Sequence, residues 1–242
     1  MDKELLLKII GAGFIRSICD EAVLQYVSRD LHCDFLSKDK ILLGKVICEK
    51  FNGGNNFIGD KPIGLPSVES FLKMLKTLNG EVEATMDNEG RNDKHLVLSD
   101  GVLQMKYSLI ANSQMPQIPR ISSEFLSNIP VTLSINKEFI INFHKLTGAI
   151  KDCKYIYVKS TGTSVDLILA QSEDYSTGAK MTYEVTEGES IEILKFNAKM
   201  FRGVLYNNRH NGDGTITFHP SGIAFIEFNS EKLKISYHLL AE

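Results

Sequence analysis

FNAKMFRGVLYNNRHNGDGTITFHPSGIAFIEFNSEKLKISYHLL, residues Phe196 to Leu240, reads as one helix followed by antiparallel strands. Asn197 can cap the helix, because its side-chain oxygen can accept from a free N–H of the first turn. Phe196 and Phe201 then occupy the two positions of a hydrophobic staple. Phe201, Val204 and Leu205 recur as an apolar face, while Lys199, Arg202, Tyr206 and Arg209 follow helical spacing on another face. Asn211-Gly212-Asp213-Gly214 ends the helical region with residues that tolerate positive φ. Alternating runs follow at Thr215 to Phe218, Ile223 to Phe228 and Leu233 to Leu239, separated by the turns HPSG and NSEK. The unit is a helix with one face for a sheet and one basic face.

Working outward, the same pattern recurs three times. Asn136 caps a helix over Lys137 to Ile150, followed by strands at Tyr155 to Lys159, Val165 to Gln171, Lys180 to Val185 and Ile191 to Leu194. Ser67 caps a helix over Val68 to Leu78, closed by Asn79-Gly80. Strands are expected after it at Glu81 to Met86, His95 to Ser99 and Val102 to Leu109. Glu4 to Ile15 starts as a helix and loosens at Gly11 and Gly13, ahead of strands at Val23 to Val27, Leu31 to Leu36 and Ile41 to Phe51. Helix starts near Leu5, Ser67, Asn136 and Asn197 are spaced by about 60 to 70 residues, so the repeat is one of pattern. Residues 113–130 contain Pro116, Pro119 and Pro130 and read as a connector. The expectation is an α+β chain with two similar domains, 1–112 and 131–242, each with two helices on antiparallel sheet.

The chain has 242 residues, 43% hydrophobic and 24% charged, the texture of a globular protein. No window approaches a membrane span, and no signal peptide is read at the N-terminus. Cys19, Cys33, Cys48 and Cys153 show no CxxC spacing and read as free thiols in a reducing compartment. Gly11-Ala12-Gly13 is a fragment of a dinucleotide fingerprint without its strand or third glycine, and there is no GxxxxGK[ST]. The six histidines form no pair at metal-ligand spacing, and no GxSxG elbow marks a nucleophile. No catalytic residue, metal or cofactor is expected.

The layout resembles the DNA polymerase sliding clamps, specifically the two-domain kind that includes PCNA and the clamp of the T-even bacteriophages. Its best stretches are Phe71 to Leu109, with GEVEATMDNEG and HLVLSDGVLQMKYSLI, and Leu133 to Leu240; the loop Asn52 to Pro62 has no counterpart. The resemblance implies a homotrimeric ring, with helices lining the bore, that encircles duplex DNA without reading sequence. It further implies a DNA polymerase and an ATP-dependent clamp loader as partners, and a cytoplasmic or host-nucleoid location.

The residues agree with it in one respect. Duplex DNA carries about one negative charge per ~1.7 Å of axis, so a sliding ring needs cations towards it. Lys8, Lys73, Lys76, Lys145, Lys199, Arg202 and Arg209 fall on solvent faces of the expected helices, in a chain of net charge −3. The resemblance also implies a pocket for partner peptides, for which Ile118, Ile121, Phe125 and Leu126 in the connector and Tyr237, Leu239 and Leu240 near the end are the candidates. Two other readings stay open: a clamp-like polymerase accessory subunit that forms no ring, and a viral structural α+β protein without a DNA role.

Overall fold

A computed structural model describes residues 2–52, 61–87, 95–119, 130–172, 177–185, 188–230 and 232–242. The chain divides into two compact units, Met1–Ile118 with Glu231–Ile235, and Pro119–Ser230 with Ser236–Glu242.

In the first unit, helix α1 (Lys3–Gly13) precedes strands β1 (Ala22–Val27), β2 (Asp30–Leu36), β3 (Leu42–Cys48) and β4 (Ile63–Leu65). They are ordered β4-β1-β2-β3, and Leu233–Ile235 from the chain's last strand lies beyond β3. Helix α2 (Val68–Thr77) leads into a separate antiparallel sheet of β5 (Glu83–Asp87), β6 (His95–Ser99) and β7 (Gln104–Ser108). The second unit repeats the plan. It holds β8 (Val131–Ile135), α3 (Lys137–Ala149), β9 (Tyr155–Ser160), β10 (Ser164–Ala170), β11 (Gly178–Glu184), β12 (Ile191–Asn197) and α4 (Ala198–Asn207). After them come β13 (Gly214–His219), β14 (Ile223–Asn229) and β15 (Leu233–Leu240). Its two sheets run β11-β10-β9-β12 and β15-β14-β13-β8. The architecture is α+β, with two α-helices on antiparallel sheet in each unit among the described residues; α1 packs on α2, and α3 on α4.

Each helix starts where a short polar side chain satisfies its free amides. Asp2 accepts from Leu5 N at 3.0 Å, Ser67 Oγ from Ser70 N at 3.3 Å, and Asn136 Oδ1 from Phe139 N at 2.8 Å. Asn197 Oδ1 takes two amides, Lys199 N at 3.1 Å and Met200 N at 3.2 Å. The start of α2 is fixed twice over: the Tyr107 hydroxyl donates to Ser67 O at 2.6 Å and accepts from Ser67 N at 3.0 Å.

Burial follows the apolar faces. In the second unit a run of rings joins α3, α4 and the sheets: Phe139, Phe143, Phe201 and Phe218 follow one another at centroid distances of 6.3, 5.5 and 6.4 Å. Phe196 meets Phe201 at 6.4 Å, the staple expected from sequence. Truncating one such ring to alanine costs about 3–5 kcal/mol. In the first unit, Phe35 lies directly on Gly13, where a Cβ would overlap the ring.

Several boundaries differ from expectation. Helix α1 holds through both glycines. Strand β4 had no sequence signal; it is three residues long and buried throughout, so it lacks alternation. β7 begins at Gln104 rather than Val102, because the Asp100 carboxylate binds the amides of Val102 and Leu103 at 2.9 and 2.7 Å and folds them into a turn. Helix α4 stops at Asn207, so Arg209 is not on it.

Candidate nucleic-acid interface

The four described α-helices carry eight Lys or Arg and three Glu: Lys3, Lys8 and Glu4 on α1; Lys73, Lys76 and Glu69 on α2; Lys137, Lys145 and Glu138 on α3; Lys199 and Arg202 on α4. That is a surplus of five positive charges in a chain of net −3, so everything else carries −8. Each glutamate sits in a first turn, where the helix dipole favours it. The acidic side chains are thus confined to helix starts, and helix α4 has none.

Lys8, Lys73, Lys76, Lys145, Lys199 and Arg202 are all exposed, as expected. They are not equally available. Lys73 Nζ lies 3.0 Å from Glu69 Oε1, an i, i+4 pair, and Arg16 approaches the same carboxylate at 3.9 Å. The Lys73 ammonium, first as a hydrogen-bond donor and then by its charge, holds the Glu69 carboxyl below its usual range. Among the described residues Lys8, Lys76, Lys145, Lys199 and Arg202 have no carboxylate partner.

Arg209 reaches the surface by another route. Its guanidinium lies 3.9 Å over the Tyr206 ring, and Nη1 donates to Tyr206 O at 2.8 Å. Tyr206 is 54% exposed and meets the His144 ring edge-on at 5.3 Å. Burial, then the charges of Arg202 and Arg209, hold the His144 imidazole below its ordinary value, so it stays neutral beside two cations.

One cation escaped the helical reading. Lys151, in the loop after α3, shares an open polar pocket of about 500 Å³ with Lys199 and Arg202. No periodicity links these positions; only the packing of α3 on α4 brings them together.

The residues expected to hold a partner peptide differ in burial where they are described. Ile118 is half-buried, and Ile121, Phe125 and Leu126 lie outside the described residues. Tyr237 and Leu239 are fully buried, and the Tyr237 hydroxyl accepts from Asn208 Nδ2 at 3.0 Å inside the second unit. β15 alternates, and Leu233, Ile235, Tyr237 and Leu239 are all buried, so Leu239 is covered by its own fold. Leu240, on the opposite face, remains 41% exposed.

Burial, aided by the Asp39 carboxylate, pushes the Cys19 thiol to about 12, and burial drives Cys33 well above its ordinary value. Neither is a thiolate at neutral pH, which removes the two as nucleophiles. No described helix is long and apolar enough to cross a membrane.

Two paired helices per unit on antiparallel sheets, repeated once, define the sliding-clamp fold, and solved structures of that fold match the chain from end to end. PCNA2–PCNA3 from Sulfolobus tokodaii matches at a TM-score of 0.69 and 14% identity, over 100% of this chain and 97% of that one. Proliferating cellular nuclear antigen from Entamoeba histolytica gives 0.66 at 15% identity, over 99% and 96%. PCNA from Thermococcus kodakaraensis gives 0.67 at 14%, over 100% and 98%. The fold is therefore that of the PCNA-type clamps. No family model matches the sequence, and no curated protein matches it.

Proposed function

We propose that this chain is a DNA sliding clamp, a non-catalytic scaffold that encircles duplex DNA and tethers a replicative polymerase. The observation that carries this reading is the separation of charge: all four described α-helices bear exposed cations while the rest of a clamp-folded chain is acidic. Lys8, Lys73, Lys76, Lys145, Lys199, Arg202 and Arg209 are the proposed DNA-facing set. They offer charge without base readout, which allows sliding. Residues 113–130 serve as the connector between domains 1–112 and 131–242.

Ring formation needs sheet edges. Among the described strands, β7 and β11 end their sheets. Unpaired edges invite another chain, and a head-to-tail contact that closes gives a ring. We assign these two strands to the contact in a homotrimer that an ATP-dependent loader opens, in the compartment that holds the DNA. For a polymerase or loader peptide, Ile118 and Leu240, with Ile121, Phe125 and Leu126, form the proposed contact. Tyr237 and Leu239 support it from within. Such a peptide is expected to bind at micromolar strength, about −8 kcal/mol.

The test is the mass in solution together with duplex binding across salt. A species of about three times 27.1 kDa that binds duplex, with affinity falling as salt rises, is expected. A monomer at micromolar concentration that still binds DNA points instead to an open accessory subunit or to a ring made with a second, different chain. A protein with no duplex affinity at low salt overturns the reading.

A further inference from the structure

We propose that Glu242 is a positioning residue for the start of α4: it holds the Asn197 cap in place, and through the cap the turn that presents Lys199 and Arg202. The proposal rests on the clamp reading for what those two cations meet, and adds to it an acidic residue that acts in favour of DNA.

The two residues after β15 each reach a different element. Ala241 N donates to Gly222 O at 2.8 Å, in the turn between β13 and β14. Glu242 N donates to Lys195 O at 2.8 Å, on β12. β12 and β15 belong to different sheets, so this short stretch ties the two sheets of the second unit together. The Glu242 side chain completes the tie. Oε1 accepts from Asn197 Nδ2 at 3.2 Å, and Oε2 lies 3.9 Å from Lys195 Nζ. Both side chains of that ion pair are only 27% exposed, and the Lys195 ammonium also stands 4.9 Å from the centre of the Tyr155 ring.

The carboxylate decides which way the Asn197 amide points. An asparagine side chain accepts at its oxygen and donates at its nitrogen. Of the first three amides of α4, Ala198 N reaches Lys154 O at 2.9 Å, and the next two, Lys199 N and Met200 N, rest on Asn197 Oδ1. Turned over, the side chain would set its NH2 against two N–H groups and its oxygen against a carboxylate. Asn197 is therefore held at both ends. One of the two amides it holds belongs to Lys199, and Arg202 stands about one turn further on.

A plain reading of charge gives the opposite role. A carboxylate beside a basic face repels DNA, so its loss should strengthen binding. The comparison of Glu242→Ala with Glu242→Gln separates the two roles, because both remove the same charge. Glutamine keeps an oxygen that can accept from Asn197 Nδ2, and alanine does not. Affinity for short duplex DNA is measured for wild type and both variants at one salt concentration, with melting curves to verify folding. Glu242→Gln is expected to bind at least as well as wild type, and Glu242→Ala about threefold more weakly than Glu242→Gln.

Amide hydrogen exchange supplies a readout that charge alone does not move. The amides of Lys199 and Met200 should exchange faster in Glu242→Ala and keep their wild-type rates in Glu242→Gln. Asn197→Ser retains a capping oxygen and loses the NH2, so adding Glu242→Ala to it should change these rates no further. Equal duplex affinities of the alanine and glutamine variants, with wild type binding DNA, overturn the proposal and leave the clamp reading intact. Absence of duplex binding by wild type removes both. Should Glu242→Ala fail to fold, Asn197→Ser, which cuts the same bond from the other side, is read in its place. Its duplex affinity should fall below that of wild type, and an unchanged affinity overturns the role of Glu242.

Discussion

In the first unit the helix cations are partly tied down. Lys73 is paired with Glu69, and Lys3 contacts Glu4 at 3.7 Å while donating to Leu78 O at 2.8 Å. In the second unit Lys137, Lys145, Lys199 and Arg202 have no carboxylate partner among the described residues, and α4 lacks any acidic residue. One plan of helices and strands therefore carries two different electrostatic faces. Backbone architecture and surface charge have been set separately, and the second unit is the stronger candidate for holding DNA.

The first helix of each unit offers the largest contrast. Gly13 near the end of α1 sits against Phe35 with no room for a Cβ, whereas Gly148 near the end of α3 faces open space. Gly13→Ala should destabilise by about 1–3 kcal/mol through overpacking. Gly148→Ala should stabilise by about 0.5–1 kcal/mol through helix propensity. Denaturant midpoints read both; equal and opposite-signed results for the wrong residues would mean the two helices do not pack as described.

Charge exchange is next in size. Replacing Lys145, Lys199 and Arg202 with glutamate should weaken duplex retention about tenfold more than the same change at Lys8, Lys73 and Lys76. Equal losses in the two triple variants would erase the difference between the faces. Releasing Lys73 is a smaller change: Glu69→Gln should raise duplex affinity at low salt by at most about twofold, because exposed pairs are weak.

The smallest effect is read at His144. Its folded value is lowered, by burial first and by Arg202 and Arg209 second. The stability it contributes is present above the ordinary value of 6.5 and is lost as pH falls through the lower folded value. In Arg202→Gln the NMR titration midpoint of His144 should rise without reaching the ordinary value, since burial persists. An unmoved midpoint would place Arg202 away from the ring.

Much of the fold was legible because helix starts are local chemistry. Ser67, Asn136 and Asn197 were read as caps and make those hydrogen bonds. His95–Ser99 was legible in full, since turn residues flank it on both sides. Strand β4 was not, since a fully buried three-residue strand has neither length nor period. The burial of Tyr237 and Leu239 was legible in the alternation of Leu233, Ile235, Tyr237 and Leu239. Arg209 followed helical spacing past the point where Asn208 ends the helix, and the stack on Tyr206 holds it instead. Lys151 could not be found by spacing, because its neighbours in the pocket are about fifty residues away along the chain.

The first unit leaves the ribosome ahead of the second, yet it takes in Glu231–Ile235, which follow most of the second unit in the chain. Glu49 N donates to Lys232 O at 3.3 Å, and Lys234 Nζ lies 2.6 Å from Glu49 Oε1. During synthesis β3 must wait with one edge bare while nearly the whole second unit is made. A bare edge on a growing chain is a template for its neighbour on the same message. Yield of soluble protein should therefore depend on the rate of elongation and on temperature during expression. Chains stopped before Glu231 should aggregate through β3 rather than accumulate as a folded first half.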